Sequence, residues 1–353
     1  MGFPVLRLPS VTFDNVYKFL DIPDKILLSQ CSRSMKAIVK SKERSRENME
    51  LELHISKYFS AYLNESRRSH LAFNWYIETN ENPQPGVNKE VISNDGAMIG
   101  NVGITMREAK NKWMSLVKRN YFEKKILAII KVLQEVFSCP VADVYFTWRY
   151  KHSFKKLIVD TDVLHHAPAI SIHNSTSTPE QMTFMLDHFT SSYLEIDADA
   201  GVDYSYQNPL RQYQKLHLRH ARWVNLEKLL TLSETAISLV LKHAVLITDK
   251  DLNQFIKWWI RSDNKELKVV YIERSNGERD RDAIMEGISS TPGRKKRTEA
   301  IPLCLQVDDR YYENGLDICR NDGAQATVIV DHLWFLLGVM QLPNSNFEEI
   351  TDN

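Results

Sequence analysis

The chain has 353 residues, 43% hydrophobic and 25% charged, a balance that excludes a disordered or fibrous protein. Lys and Arg number 45 and Asp and Glu 45, so no net charge draws the chain to nucleic acid or an anionic membrane. The cysteines, Cys31, Cys139, Cys304 and Cys319, are far apart and form no CxxC pair, which argues against a structural zinc site and for reduced thiols.

The opening residues, Met-Gly-Phe-Pro-Val-Leu, lack the basic start and long apolar run of a signal peptide. No apolar stretch approaches the ~20 residues of a membrane helix. Cytoplasm, nucleus or both are the expected compartments. Residues 3–40 then divide into three helical patterns. Val16, Phe19 and Leu20 form one apolar stripe, which Asp21 and Pro23 interrupt. Pro23 suits the first turn of a second helix carrying Ile26, Leu27 and Cys31. Ser32 can cap a third, with Met35, Ile38 and Val39 at helical spacing. A unit of about 40 residues buries little core by itself, so its apolar residues need a partner or the following domain.

The order Leu8-Pro9, Val16-x-x-Phe19-Leu20-Asp21, Leu27-Leu28-Ser29, Cys31-Ser32, Ile38-Val39 resembles the F-box family over the whole module. Val11 and Thr12 stand where that family often places an acidic residue, and Met35 where it often has Trp. The resemblance implies a three-helix docking element for the Skp-family adaptor, which joins it to a cullin. Position by position, Leu8, Pro9, Leu20 and Leu27 match the adaptor-contacting apolar pattern. The basic stretch from Lys36 to Arg46 reads as a helix end running into a short linker.

Residues 49–115 change character. LELHIS alternates at period two, LAFNWYIE comes after a polar gap, and GAMIGNVGITM resumes with glycines, which predicts a few antiparallel strands. A helix carrying Ile126, Ile129, Ile130, Leu133 and Phe137 then feeds a strand around Val144-Tyr145-Phe146.

A repeat dominates the second half of the chain. LHLRHA at 216–221 and LVLKHA at 239–244 are near copies, with weaker ones at Ile170-x-Ile172, Leu194-x-Ile196 and Leu267-x-Val269. Helical patterns alternate with them. Thr178-Pro179-Glu180-Gln181 is a capping-box start, and Leu252, Phe255, Ile256, Trp259 and Ile260 keep i, i+3, i+4, i+7, i+8 spacing. Strand, then helix, repeating every 20–29 residues or so is the leucine-rich-repeat pattern, here irregular, with Ala221 and Ala244 at the usual Asn or Cys position. Strand-like pieces return at Ile301–Val307 and Ala326–Val339, and an acidic tail closes the chain.

DLNQFIKWWIRSDNKELKVVYIE at 251–273 and GLDICRNDGAQATVIV at 315–330 resemble the F-box-associated domain of type 2. That resemblance implies a domain that comes directly after the F-box and binds a degradation target. The expected fold is α+β to α/β: a three-helix F-box at 1–44, an F-box-associated domain at 49–340 and an acidic tail at 341–353. Within the large domain, 49–115 is strand-rich, 120–273 is the leucine-rich-repeat-like array and 300–340 holds C-terminal strands.

Catalytic signatures are missing from the sequence: there is no GxSxG elbow, P-loop, HExxH, or GxGxxG after a strand. His165-His166, His217 and His220 read as ordinary neighbours, and helix caps or strand ends explain the Asp249/Asp251 and Asp197/Asp199 pairs. No enzyme activity, metal or cofactor is expected. Residues 294–297, Arg-Lys-Lys-Arg, resemble a nuclear import signal but suit a solvated loop. Trp258 is displaced from the apolar stripe that holds Trp259, so it is a candidate partner contact.

The expected partners are a Skp-family adaptor, through it a cullin, and an unidentified target protein. Alternation along the repeat strands predicts that Lys215, His217, Arg219, Val240, Lys242, Lys268 and Val270 face outward from a concave strand face and touch the target. The rivals are a non-degradative scaffold and a nucleic-acid binder using the basic strand-face residues, the latter opposed by the balanced charge.

Overall fold

Two of the three N-terminal helices start on a side chain that accepts a free amide of the first turn. The computed structural model describes residues 9–43, 49–56, 58–65, 70–79, 98–99, 102–103, 106–109, 112–117, 121–147, 164, 167–174, 176–293 and 315–340. Helix α1 (Ser10–Phe19) begins as the Pro9 carbonyl accepts from the Phe13 N–H at 2.9 Å. Asp21 caps α2 (Ile22–Gln30), its carboxylate accepting from the Asp24 N–H at 2.9 Å, with Pro23 in the first turn. The Ser32 hydroxyl accepts from the Met35 N–H at 3.1 Å and opens α3 (Arg33–Glu43).

The chain divides into two compact units, Met1–Ser171 and Ile172–Asn353. In the first, Ile26, Met35 and Val39 are buried between the helices, and α2 and α3 lie against α4 (Phe122–Phe137). A polar knot lies inside this module. The Lys25 ammonium sits 2.9 Å from the Glu43 carboxylate, each side chain 1% exposed. The Tyr17 hydroxyl donates to the same carboxylate oxygen at 2.8 Å. One ion pair thus ties all three helices, and neither charge can lose its partner without being left in a dry interior.

The first unit's sheet is built on strands β1 (Met49–Ile55), β2 (Phe59–Glu65) and β3 (His70–Thr79), an antiparallel meander. A small two-stranded pair, β4 (Met98–Ile99) and β5 (Val102–Gly103), stands apart from it. A hairpin of β6 (Met106–Ala109) and β7 (Lys112–Val117) adds to β3 through a parallel β3–β7 pairing. Beyond α4, β8 (Val141–Thr147) pairs in parallel with β1, giving the order β8-β1-β2-β3-β7-β6. The period-two reading of LELHIS holds: Leu51, Leu53 and Ile55 are buried while Glu50, Glu52 and His54 are not. Helix α4 buries the predicted stripe of Ile126, Ile129, Ile130, Leu133 and Phe137.

Strand β9 (Ala169–His173) spans the division between the units. In the second unit, β10 (Tyr193–Asp197), β11 (Lys215–Leu218), β12 (Ser238–Leu241) and β13 (Val269–Glu273) lie side by side in chain order, all parallel. Helix α5 (Pro179–His188) precedes β10, α6 (Leu226–Ser233) joins β11 to β12, and α7 (Asp249–Arg261) joins β12 to β13. Thr178 and Thr248 each form a capping box, and Asn225 caps α6 by accepting from the Lys228 N–H. A short helix α8 (Arg281–Met285) and the two-residue strand β14 (Thr291–Pro292) come next. The sheet then turns antiparallel through β17 (Trp334–Val339), β16 (Gln325–Val330) and β15 (Leu316–Cys319), with β14 at the edge. The strand expected at Ile301–Val307 lies outside the described residues.

Register decides which side chains form the core. Leu239 pairs with Val270, and Val270 with Leu337; Leu241 pairs with Ile272, and Ile272 with Phe335. These residues share the helix-covered face, where Phe255 of α7 meets Phe335 edge-on at 6.4 Å between ring centroids. Val270 is therefore an inward residue with 0% exposure, which corrects its assignment to the outer face. The outward positions of β13 are Val269 and Tyr271, because sharing an inner row with Leu239 sets the parity of the strand.

The Arg320-x-Asp322-Gly323 sequence makes the β15–β16 turn. The Arg320 guanidinium holds both Asp322 carboxylate oxygens, at 2.8 and 2.7 Å, and stands over the Trp259 ring at 5.4 Å. Those hydrogen bonds hold the Asp322 carboxyl down to about 2. Gly323 takes a φ of +87°, a conformation that side chains disfavour. This sequence is structural glue for the turn.

Candidate functional site

Two surfaces, one in each unit, carry side chains that lie outside the main core. The first is the outer flank of α1. Phe13 and Tyr17, four residues apart, face inward, and Tyr17 is held there by Glu43. That orientation turns Val11, Val16 and Phe19 to solvent at 70%, 45% and 88% exposure. An unburied Phe side chain forgoes roughly 1.5–3 kcal/mol, which makes this exposed apolar stripe a candidate docking surface. Pro9 is exposed beside it, while Leu20 and Leu27 are half-buried, and Leu8 lies outside the described residues. The sequence pattern sets Phe19 in the first stripe without marking it as a contact. The competing pair Phe13 and Tyr17, at i, i+4, is the signal that another face takes the core.

The second surface is the outer face of the strands in the second unit. One row runs across six strands in register: Glu195, His217, Val240, Tyr271, Leu336 and Ile329. Its two halves differ. Val240, Val269, Tyr271, Ile329 and Leu336 pack into a second apolar core, with the Trp334 ring stacked on Tyr271 at 5.8 Å. Val240 thus lies on the outer face as expected but is 2% exposed, which removes it as an open contact. The outward side chains of β16 and β17 pack beside it, and local sequence patterns do not place those strands next to the repeats.

The other half is charged. The His217 Nδ1 lies 3.3 Å from Glu195 Oε1 in a side chain 5% exposed. His220 stands between Asp197 at 3.6 Å and Asp199 at 3.7 Å, and its ring stacks on His243 at 5.2 Å. His173 approaches Asp197 at 3.6 Å. Burial, the largest cause in both, holds the His217 and His220 imidazoles below the ordinary value of 6.5 against the pull of the carboxylates. Arg219 reaches Glu195 at 3.4 Å, Arg222 reaches Asp199 at 3.7 Å, and Lys242 reaches Glu273 at 3.9 Å. Of the expected target contacts, Lys215 and Arg219 are exposed, Lys242 and Lys268 half-exposed, and His217 is buried at the seam between the halves.

The remaining polar groups have structural work. Asp251 closes the α7 capping box, and Asp249 accepts from the buried Arg279 at 3.1 Å. Burial pushes the Cys139 thiol up to about 12, far from a nucleophile's range. Among the described residues, no group of three or more His, Cys, Asp and Glu could hold a metal ion, and no helix is long and apolar enough to cross a membrane. Residues 165–166 and 294–297 lie outside the described residues.

Comparison with known families finds two matching stretches. The F-box domain matches residues 5–47, the stretch that contains α1, α2 and α3. The F-box associated family matches residues 207–272, from β11 through α6, β12 and α7 into β13. Neither the curated proteins nor the solved structures yield a match. The chain combines an N-terminal F-box domain with a C-terminal F-box-associated domain.

Proposed function

We propose that this protein is the substrate-recognition subunit of a Skp–cullin–F-box ubiquitin ligase. The F-box docks the Skp-family adaptor, which brings a cullin, and the F-box-associated domain holds a target protein. The observation that carries the reading is the bare apolar flank of α1, with Phe19 88% exposed inside the matched F-box segment. Pro9, Val11, Val16 and Phe19 supply its exposed part; the half-buried Leu20 and Leu27, and Leu8, which lies outside the described residues, are the further adaptor contacts of this reading. The subunit performs no chemistry; it raises the local concentration of target lysines near the ubiquitin-loaded enzyme. It works in the cytoplasm, the nucleus or both.

The second unit reads as an irregular leucine-rich-repeat-like array. Parallel strands in chain order support this, as does a recurring link: the Ala221 N–H donates to the Lys242 carbonyl and the Ala244 N–H to the Glu273 carbonyl. Lys215, Arg219 and Lys242 are the outer-face residues left to meet a target; Lys268 comes just before β13 and two residues before the inward Val270, so it is not one of them. A nucleic-acid-binding role is disfavoured because Arg219 and Lys242 already face carboxylates.

The test is co-purification of the full chain with a Skp-family adaptor and a cullin, comparing wild type with Phe19→Asp. The variant is expected to lose both partners while keeping its circular dichroism spectrum and unfolding midpoint. Unchanged recovery of the adaptor would place the docking surface elsewhere. Recovery of the adaptor without a cullin would favour the non-degradative scaffold.

A further inference from the structure

The solvent side of α7 carries a groove that neither surface above includes, lined by Gln254, Lys257, Trp258, Arg261 and Ser262. On a helix these first four positions are i, i+3, i+4 and i+7, one continuous stripe. It lies beside the core stripe of Leu252, Phe255, Ile256 and Trp259, which is fully buried. The Trp258 ring is half-buried and stacks on Phe255 at 5.7 Å with 25° between the planes. One ring face is thereby fixed by the core, and the indole is held as a rigid platform.

The charges around it differ from those of the unit's paired cations. Arg219, Arg222, Lys242, Arg279 and Arg320 each face a carboxylate. Lys257 and Arg261 make no ion pair among the described residues, and no carboxylate lines the groove. Two uncompensated cations, one turn apart, flank an aromatic surface. Trp and Arg are the residue types that most often dominate binding energy at interfaces, and paired cations favour carboxylate ligands.

From this geometry we infer that the α7 groove is a docking site for a short acidic segment of a partner protein, in which carboxylates meet Lys257 and Arg261 and an apolar side chain covers Trp258. A nucleic-acid strand fits less well. The basic surface spans only two turns, and exposed Asp263 and Glu286 flank it, Glu286 through a carbonyl that accepts from Asn253 of α7. A phosphate backbone needs a longer run of cations than the two this groove offers. The inference deepens the proposed receptor role by naming a chemical class for what the second unit holds.

The experiment uses the full chain and a fluorescein-labelled twelve-residue peptide of repeated Glu-Glu-Leu, with a Lys-Lys-Leu peptide and an oligouridine as comparison probes. The acidic peptide is expected to bind, to change Trp fluorescence, and to weaken as salt is added. The double substitution Lys257→Glu with Arg261→Glu should weaken it about tenfold or more, the effect of losing two charge-assisted contacts. Both residues project from the helix surface, so the unfolding midpoint should not move. Trp258→Ala should weaken the peptide as well, and Trp258→Phe should restore part of the loss.

Equal binding by the charge-reversed chain overturns the inference, as does equal binding of the Lys-Lys-Leu peptide or tighter binding of oligouridine. A chain ending at Met340, which lacks Glu348, Glu349 and Asp352, gives a further arm. Binding seen only after that truncation would make the chain's own tail the occupant and would equally overturn a partner segment. Adaptor recovery is measured on the same preparations. Its loss would sink the receptor reading and leave the peptide result standing, whereas the reverse outcome would remove only the groove.

Discussion

The α1 flank and the outer face of the β11–β13 strands both carry apolar side chains that point away from the main core, yet they end differently. On α1, Phe19 is left 88% exposed. On the sheet, Val240, Tyr271 and Leu336 are joined by Ile329 and Trp334 into a sealed layer. The helix has no neighbour on that side, among the described residues, to complete its burial. The sheet recruits its own, because β17 and β16 continue it past β13. Exposed apolar area is thus left on the F-box helix, whereas in the second unit the exposed positions are charged and aromatic ones at the margins.

The comparison can be broken or sharpened by experiment. The largest expected effect is on binding: Phe19→Asp should reduce adaptor affinity at least ~30-fold, the scale of an interface hot spot, in a calorimetric titration. Weakening by less than threefold would mean that the bare flank is incidental. The next effect is on stability. Lys25→Ala leaves Glu43 buried without its cation and should cost about 3–5 kcal/mol in urea unfolding of the first unit. A double change, Lys25→Met with Glu43→Leu, should recover most of that loss, since no charge is then stranded.

Leu336→Ala comes third, with an expected cost of about 2–4 kcal/mol in the second unit, the range for opening a cavity in a core. A loss below 1 kcal/mol would mean the outer layer is not the second core its packing describes. The smallest effect concerns pH. Since the folded chain holds His217 and His220 below 6.5, the unfolded chain takes up protons more readily, and stability should fall as pH drops below 6.5. His217→Gln should flatten that slope in urea midpoints measured between pH 7 and pH 5. A slope of opposite sign would mean that Glu195 and Asp197 outweigh burial.

Much of this architecture was legible from local chemistry. The capping residues Ser32 and Thr178 mark helix starts from a single side chain each, because the amides they satisfy lie three residues away. The F-box order and the LHLRHA/LVLKHA copies were likewise visible, since they repeat short patterns. The sites were less legible. Val270 was misplaced because alternation divides a strand into two faces without naming the inner one, and Leu267-x-Val269 suggested the wrong parity. Val240 was placed on the right face, but its burial depends on Leu336 and Ile329, almost a hundred residues further along the chain.

By itself, the amino-acid sequence determined the helix starts, the strand alternation, the three-helix module and the repeat, all set by neighbours within a turn or a strand. Only the tertiary structure decided that Phe19 stays bare, that Val270 turns inward and that Lys25, Tyr17 and Glu43 close into one knot. Those outcomes depend on which distant segment reaches each side chain first to exclude water, a contest among long-range contacts that no local pattern records.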